Sequence, residues 1–400
     1  MRLGYVTASL PYGVSESFFL SELRALTELG VEVVVFPLRR RGRLRPEWDQ
    51  DSTAPCVRGS GLLSAPVLAA TTSIMAQYPL RTAGSISPIL RRPWHHLLKN
   101  LAVVPKALWL ARELERNGCD HLHVHWGGTT ASAGMIAASI AHVPWSLTCH
   151  RWDIYENNLL REKVASSAFT RFISERGRQD AIALGAPTAR TRVIPLGVTI
   201  PPLDTCVPWP RREPFTLLSP ANLIPVKGHQ YLLGAMRQLV GSGADVRLLL
   251  AGDGPLQGEL EAEATRMGIA GRVDFLGQVS HARILEMYAR RAVHATVLSS
   301  VDLGGGLHEG VPVSLMEAMA YGVPVVSTTT GSIPELLPPS MGLTVPDKDE
   351  GALASALHAL VSSEDVHQRA ARACRDRIAT GWDIARSVAT LVKEIEQTAG

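Results

Sequence analysis

The stretch His308–Ser327, HEGVPVSLMEAMAYGVPVVS, reads as a loop, a helix, a tight turn and a buried strand. Pro312 has the fixed φ suited to the first turn of a helix. Leu315, Met316, Ala318, Met319 and Ala320 continue that helix, and Gly322 supplies a left-handed cap. The residues from Val323 onward are largely β-branched, as a parallel strand covered on both faces requires. A helix feeding such a strand is the working unit of a doubly wound α/β sheet.

Two carboxylates bracket the start of this helix. Glu309 and Glu317 are eight positions apart, and on one continuous helix they would point about 80° from each other, two turns along the axis. Glu309, however, follows Gly304, Gly305 and Gly306 in what reads as a loop. That places it ahead of the helix mouth, with Glu317 about one turn inside. The unpaired N–H groups of a first turn bind anions. A phosphate docked there would have a carboxylate on either side, each able to accept hydrogen bonds from sugar hydroxyls.

Outward from this stretch the same alternation fills the chain. Arg2–Thr7 is a strand, Pro11-Tyr12-Gly13-Val14 a loop, and Ser15 an N-cap for a helix over Glu16–Leu29 that stops at Gly30. A strand follows over Val31–Leu38. The opening loop could approach a ligand closely although it lacks G-x-G-x-x-G. Residues 60–104 are apolar helical pieces broken by Pro66, Pro79, Pro88 and Pro93, able to cover a sheet or lie on a membrane. A helix is expected over Pro105–Asn117, and strands over HLHVHWGG (121–128), SLTCH (146–150), TRFIS (170–174) and RVIPL (192–196). Pro195–Pro214 holds six prolines and no helical period, and so reads as a linker. The alternation restarts with strands at FTLLSP (215–220), VRLLLAG (246–252), RVDFLG (272–277) and VHATVLSS (293–300). The implied organisation is a first domain over 1–200, joined by a final helix at about 382–400, and a second over 201–381. Each is a doubly wound parallel sheet, and the two face each other.

Size and composition agree with two cores: 400 residues, 46% of them apolar. The five cysteines are scattered, with no C-x-x-C pair, as in a cytosolic protein with reduced thiols. The apolar run of the N-terminus is too short for a signal peptide, and no stretch approaches the ~18 apolar residues of a membrane span. Charge is asymmetric. Residues 1–200 carry 23 Lys and Arg against 15 Asp and Glu, net +8, and the remainder 17 against 22, net −5. A basic first half suggests an anionic ligand or surface, including peripheral contact with the inner face of a membrane.

Lys227 follows one strand and precedes a helix, where an ammonium and helix-mouth amides would meet one phosphate. Lys227-Gly228 after one strand and Glu309…Glu317 after a later one together describe a diphosphate-and-sugar site. In the first half, His121, His123 and His125 alternate along one strand. Without a carboxylate or Cys at ligand spacing they read as ordinary strand residues, and no metal is expected.

At this point the sequence resembles a family, the retaining glycosyltransferases of family 4, which have the GT-B fold. The resemblance lies in NLIPVKGHQYLL, LLLAGDGP, VDFLGQVSH, SSVDLGGGLHEGVPVSLMEAMAYGVPVVST and GSIPELL, and more loosely in PYGVSESF, HLHVHWG, LTCHRWDIY and VIPLGV. It covers most of the chain outside about residues 40–110, and Asn222 and Pro312 resemble the exopolysaccharide-type branch. The resemblance implies metal-independent transfer of a sugar from a nucleotide-diphosphate sugar, by default a UDP-sugar, to a hydroxyl with retention of configuration. No cofactor is implied beyond the donor itself. Lys227 matches the pyrophosphate-binding lysine, Glu309 the glutamate that holds the donor sugar, and Glu317 the one that holds the ribose. Val313 and Ser314 match the phosphate-binding amides, with Gly306 and Gly310 in the same donor loop, and His150 matches the histidine near the donor sugar and acceptor. On the acceptor side fall Gly13, Ser15, Glu16 and His125.

Two departures stand out: Asn222 occupies a position often held by Arg, and Gly13-Val14-Ser15-Glu16 replaces a pair of adjacent glycines. The acceptor would be a saccharide, a lipid-linked sugar or a small hydroxyl compound, with no role for nucleic acid. A sugar-nucleotide epimerase on the same fold is the alternative, which would need acid and base groups in the cleft. A periplasmic sugar-binding protein is disfavoured by the cysteines and the N-terminus.

Overall fold

The β-branched and leucine-rich runs form two separate sheets, and every strand pairing within them is parallel. The structure is a computed structural model that describes residues 1–13, 16, 20–40, 42–44, 48, 56–90, 94–202, 209 and 214–399. The chain divides into two compact units, Met1–Pro195 with Ile384–Gly400, and Leu196–Asp383. Both are Rossmann-like α/β layers.

The first unit contains β1 (Arg2–Thr7), β2 (Glu32–Pro37), β3 (Cys56–Val57), β4 (His121–His125), β5 (Trp145–Cys149), β6 (Phe169–Phe172) and β7 (Thr191–Val193). Their order across the sheet is β3-β2-β1-β4-β5-β6-β7. Alternate residues of each strand point to opposite faces, and the two faces carry separate cores. Leu122 and Val124 join Val34, Phe36 and Leu147 on one face. On the other, Leu3, Tyr5 and Phe169 pack with Leu23 and Leu26 of helix Leu20–Glu28 and with Val388, Leu391 and Ile395 of the final helix, Ile384–Ala399.

The second unit contains β8 (Phe215–Pro220), β9 (Val246–Ala251), β10 (Val273–Gly277), β11 (Ala295–Leu298), β12 (Val325–Thr328) and β13 (Thr344–Val345), in the order β10-β9-β8-β11-β12-β13. In each sheet the winding direction reverses between two adjacent strands, β1 and β4 in the first and β8 and β11 in the second. Loops leaving the carboxyl ends of such a pair diverge and open a crevice, the usual ligand position of this architecture.

Local expectations fare unevenly. The apolar pieces of 60–104 become helices Ala65–Gln77, Pro79–Leu90 and Trp94–Leu101, and Pro88 sits inside the second without ending it. Of the helix expected over Glu16–Leu29, the described residues form Leu20–Glu28, and Glu16 lies outside it at φ 70°. Ser15, its expected N-cap, lies outside the described residues. Pro312 is not in the first turn of the organising helix. With ψ at 111° it stands one residue ahead of Val313–Ala320 as the N-cap, its carbonyl accepting from Leu315 and Met316.

Candidate active site

The second unit assembles one group of residues from two loops. The chain leaving β8 makes a single 3-10 turn, Pro225–Lys227, and reverses at Gly228 with φ 61°. A Cβ at Gly228 would lie 2.2 Å from the Ser299 carbonyl oxygen, so only glycine allows the turn to press on the end of β11. Ser299 Oγ fastens the contact, donating to the carbonyls of Lys227 (3.2 Å) and Gly228 (3.0 Å). The Lys227 ammonium thereby meets the Glu309 carboxylate in an ion pair. Ser300 Oγ donates to the same carboxylate at 3.1 Å and the Gly310 N–H at 3.3 Å. The Glu309 backbone is held from behind by Gly331, where a Cβ would meet the Glu309 carbonyl oxygen at 1.8 Å. The Gly304–Gly306 loop closes on itself through Leu303 N–H to Leu307 O and Leu307 N–H to Gly304 O, both 2.9 Å. The two charged side chains retain 20% and 15% exposure, enough to be reached by a ligand.

The same unit holds a cavity of about 230 Å³ lined by Asn222, Asp253, Gln278, His281, Ser314 and Glu317 among others. Val313 and Ser314 are the first residues of the helix, so their N–H groups have no intrahelical acceptor. Glu317 lies one turn further in, and its Oε1 is 2.6 Å from His281 Nε2. The loops after β8, β9 and β10 therefore converge with the mouth of helix Val313–Ala320 on one hollow. It offers anion-binding amides and a carboxylate able to accept hydroxyl protons.

The first unit gathers its histidines at the ends of β4 and β5. His123 hydrogen-bonds Ser146 Oγ (2.8 Å) and Thr148 Oγ1 (2.9 Å), and His121 shares Ser146 at 2.8 Å. His125 Nε2 lies 2.8 Å from His150 Nε2 and its Nδ1 2.8 Å from the Tyr5 hydroxyl. Tyr5 donates to Glu22 (2.7 Å), which also receives Arg171 Nη1 at 2.7 Å. Trp126 lies against His150, ring centroids 4.5 Å apart. Burial disfavours the charged imidazole throughout, bringing His121 down to about 4 and His123 and His150 to about 3, and lowering His125 well below its usual value.

These two arrangements have recognisable relatives. Residues 209–377 match the family described as Glycosyl transferases group 1, and residues 15–200 match Glycosyltransferase Family 4, so both units are accounted for. The chain is 27% identical over 393 residues to the colanic acid biosynthesis glycosyltransferase WcaL of Escherichia coli K12, covering 90% of each chain. The chain belongs to glycosyltransferase family 4, in its exopolysaccharide-type branch. It is also 33% identical over 158 residues to a GDP-mannose-dependent phosphatidylinositol monomannoside mannosyltransferase of Corynebacterium glutamicum, an alignment spanning 39% of this chain and 40% of that one. The fold is that of Anabaena HepE, solved with UDP and glucose, at a TM-score of 0.73 and 18% identity, covering 99% of this chain and 100% of that one.

For a family 4 chain the second unit brings together Lys227, Glu309 and Gly310, and gathers Asn222, Ser314 and Glu317 around one cavity, with Val313 opening the helix that carries Ser314 and Glu317. Sequence reading passed over Ser299, Ser300 and His281, although short polar residues at the end of a buried strand are a usable signal. Asp253 lines the cavity and also accepts the Leu223 N–H through its carbonyl.

The acceptor-side expectations need correction. Glu16 is buried, and its carboxylate already accepts the N–H groups of Ala8 (3.1 Å), Ser9 (2.7 Å) and Leu10 (2.7 Å), Ser9 Oγ (2.9 Å) and Trp126 Nε1 (2.6 Å). It shapes the loop after β1 and has no capacity left for a ligand hydroxyl. Gly13 donates its N–H to the Arg43 carbonyl at 3.0 Å, tying that loop to the segment that follows β2. His125 is fully buried beneath His150 and Trp126, so it acts on a ligand only through His150. Glu22, His123 and His125 are the one group of potential metal ligands among the described residues. Each ring nitrogen of the two histidines is already hydrogen-bonded and Arg171 occupies the carboxylate, so these residues do not fit a cation.

Proposed function

We propose that this protein transfers a sugar, with retention of anomeric configuration, from a nucleotide-diphosphate sugar to a hydroxyl of a saccharide or lipid-linked acceptor. The observation that carries the reading is that one unit holds both the partly exposed Lys227–Glu309 ion pair and a cavity lined by Ser314 and Glu317 at the mouth of helix Val313–Ala320. In this reading Lys227 exchanges its partner Glu309 for the diphosphate, and the Val313 and Ser314 amides bind the same group. Glu309, released from the lysine, accepts from hydroxyls of the donor sugar, and Glu317 from the ribose while His281 steadies it. The C1–O bond to phosphate breaks, the C1–O bond to the acceptor forms on the same face, and the acceptor proton passes to the departing phosphate oxygen. The charge that develops on the leaving diphosphate is met by Lys227 and backbone amides, so the reaction is proposed to be metal-independent. His150 positions the saccharide. Uracil is the proposed base, and guanine is its competitor because the corynebacterial relative is GDP-mannose-dependent.

The acceptor end of the proposal rests on charge and exposure. Residues 52–112 contain seven Lys and Arg and no Asp or Glu. Helices in this stretch expose Leu68, Leu80, Leu90, Trp94 and Leu98. No described helix is long and apolar enough to cross a membrane. A basic segment that exposes leucines and a tryptophan suits an anionic bilayer surface, where a lipid-linked acceptor would be presented.

The testing experiment is a binding and donor-hydrolysis screen across UDP-, GDP- and ADP-sugars with wild type, Lys227→Ala and Glu309→Ala. One nucleotide sugar bound and slowly cleaved by wild type alone supports the reading and names the base. Binding untouched by both substitutions, or no binding at all, removes it. Sedimentation with anionic and zwitterionic vesicles tests the surface separately, and equal partition to both defeats the electrostatic part.

A further inference from the structure

The first unit holds a hollow of about 470 Å³, within the ~300–1,000 Å³ of ligand pockets. Trp145 and Ala168, at the starts of β5 and β6, line it together with Ala138 of helix Thr129–Ala141 and Gly84 and Pro88 of helix Pro79–Leu90. β5 runs from Trp145 to Cys149, so the hollow lies at the opposite end of that strand from His150, about 16 Å away. It is thus separate from the carboxyl edge where ligands of this architecture usually sit.

The helix beside the hollow is weakened where it borders it. Gly84 and Pro88 are the residues of Pro79–Leu90 least suited to a helix interior, and both line the space. Close packing does not demand the glycine, because no atom lies within 4 Å of where its Cβ would be. Pro88 has no N–H for the Gly84 carbonyl four residues back, so a helical hydrogen bond is missing at the same spot. The result is an open wall without side chains. Three of the four serines in the lining, Ser85, Ser166 and Ser167, give their hydroxyl protons to backbone carbonyls of their own segments. Arg190 is the one charged residue of the lining. It is exposed and donates Nη1–H to the Ala168 carbonyl at 3.1 Å. No acid pairs with it among the described residues, which leaves the rest of its donor fork to an anion.

We infer that this hollow takes up one acyl chain of an anionic membrane lipid, with the lipid phosphate on Arg190. A polar metabolite would lose hydration against Ala138, Trp145 and Pro88 without new partners, and a cation would be repelled by Arg190. The helix lining the hollow belongs to the acid-free segment 52–112 and carries Leu80, 87% exposed, one turn before Gly84. A bilayer is therefore the source, a choice that rests on the membrane surface proposed above; the hollow and its charge do not.

Gly84→Leu fills the space without disturbing the fold, since its Cβ meets no atom and leucine favours a helix more than glycine does. The first probe is a dansyl-labelled undecanoic acid titrated into the full chain, read by the fluorescence gained when its chain is buried. Wild type should bind it saturably. Gly84→Leu and Arg190→Glu should each raise Kd roughly tenfold or more, the scale of a lost charged hydrogen bond or more, with melting temperatures close to wild type. No saturable binding overturns the inference, as does an unchanged Kd in either folded variant. The second arm incubates wild type with vesicles of phosphatidylglycerol or of phosphatidylcholine and identifies retained lipid by native mass spectrometry. One phosphatidylglycerol per chain, lost in Gly84→Leu, is expected. Equal retention of both phospholipids, or retention of neither by a chain that binds the free acid, overturns the membrane lipid as occupant. Neither arm reads sugar transfer, so failure here and failure of the proposed function are told apart.

Discussion

The two units use charge in opposite ways. In the second, Lys227 pairs with Glu309 and His281 with Glu317 at partly exposed positions, and Ser300 and the Gly310 N–H also reach the Glu309 carboxylate. In the first, Arg171 and Glu22 are buried, and the guanidinium also binds the Ile194 and Pro195 carbonyls and Ser387 Oγ. A partly wet pair exchanges partners at little cost, which suits a site whose ligand is itself charged. A dry, saturated pair cannot be exchanged, and it is suited to holding neighbouring protons in place. The same chemistry of acid and base thus serves binding in one unit and orientation in the other.

Acid should separate the units most strongly. His121, His123 and His150 have folded pKa values of about 4, 3 and 3 against an ordinary 6.5. The unfolded chain therefore takes up protons first as pH falls, and the stabilisation present above pH ~6.5 is lost toward the folded values. At pH ~5 each histidine costs roughly 2 kcal/mol. Asp153 opposes this, because burial raises it to about 7 and the folded state gains its proton first. Three histidines against one aspartate leave a net loss. Hydrogen exchange at pH 7 and pH 5 should show peptides of β4 and β5 losing protection ahead of β8 and β11. Equal loss would break the comparison, although His229 and His294, also near 4, make some loss in the second unit expected.

Removing one partner from each pair sharpens it further. Arg171→Met leaves the Glu22 carboxylate buried and unpaired, and should cost about 3–5 kcal/mol in denaturant unfolding. Glu309→Ala should cost under about 1 kcal/mol yet weaken nucleotide-sugar binding roughly 10- to 100-fold, the worth of a lost charged hydrogen bond. A stability loss at Glu309 as large as that at Arg171 would show that the second-unit pair is structural.

How these features could be read in the sequence follows the same division. The alternation of β-branched runs with capped helices is local, and it indicated two parallel sheets from residues a few positions apart. The stretch around Glu309 and Glu317 was legible because glycine, proline and strand signals lie within twenty residues of it. The first-unit network was not, because Tyr5, Glu22, His125, His150 and Arg171 come from five separated segments joined only by the winding of one sheet. Glu16 misled for another reason. Its sequence context favours a helix, and a tertiary demand, three consecutive amides after β1, draws it into the loop instead.

The smallest expected effect falls on His281, which the sequence did not single out. From the first residue of helix His281–Ala289 its ring nitrogen reaches Glu317, and its side chain is 37% exposed. His281→Ala should leave unfolding within about 0.5 kcal/mol, since exposed contacts of this kind contribute little. Freed from the ring, Glu317 gains rotamers that a ribose would have to restrict again, so nucleotide affinity should fall only a few-fold, by about 1 kcal/mol. Titration calorimetry with the nucleoside diphosphate and with the matching nucleoside monophosphate sets the location of the loss. An equal fall for both places His281 at the ribose, whereas a fall for the diphosphate alone would move it to the phosphates and make the second unit's two ion pairs a single site for one charged group.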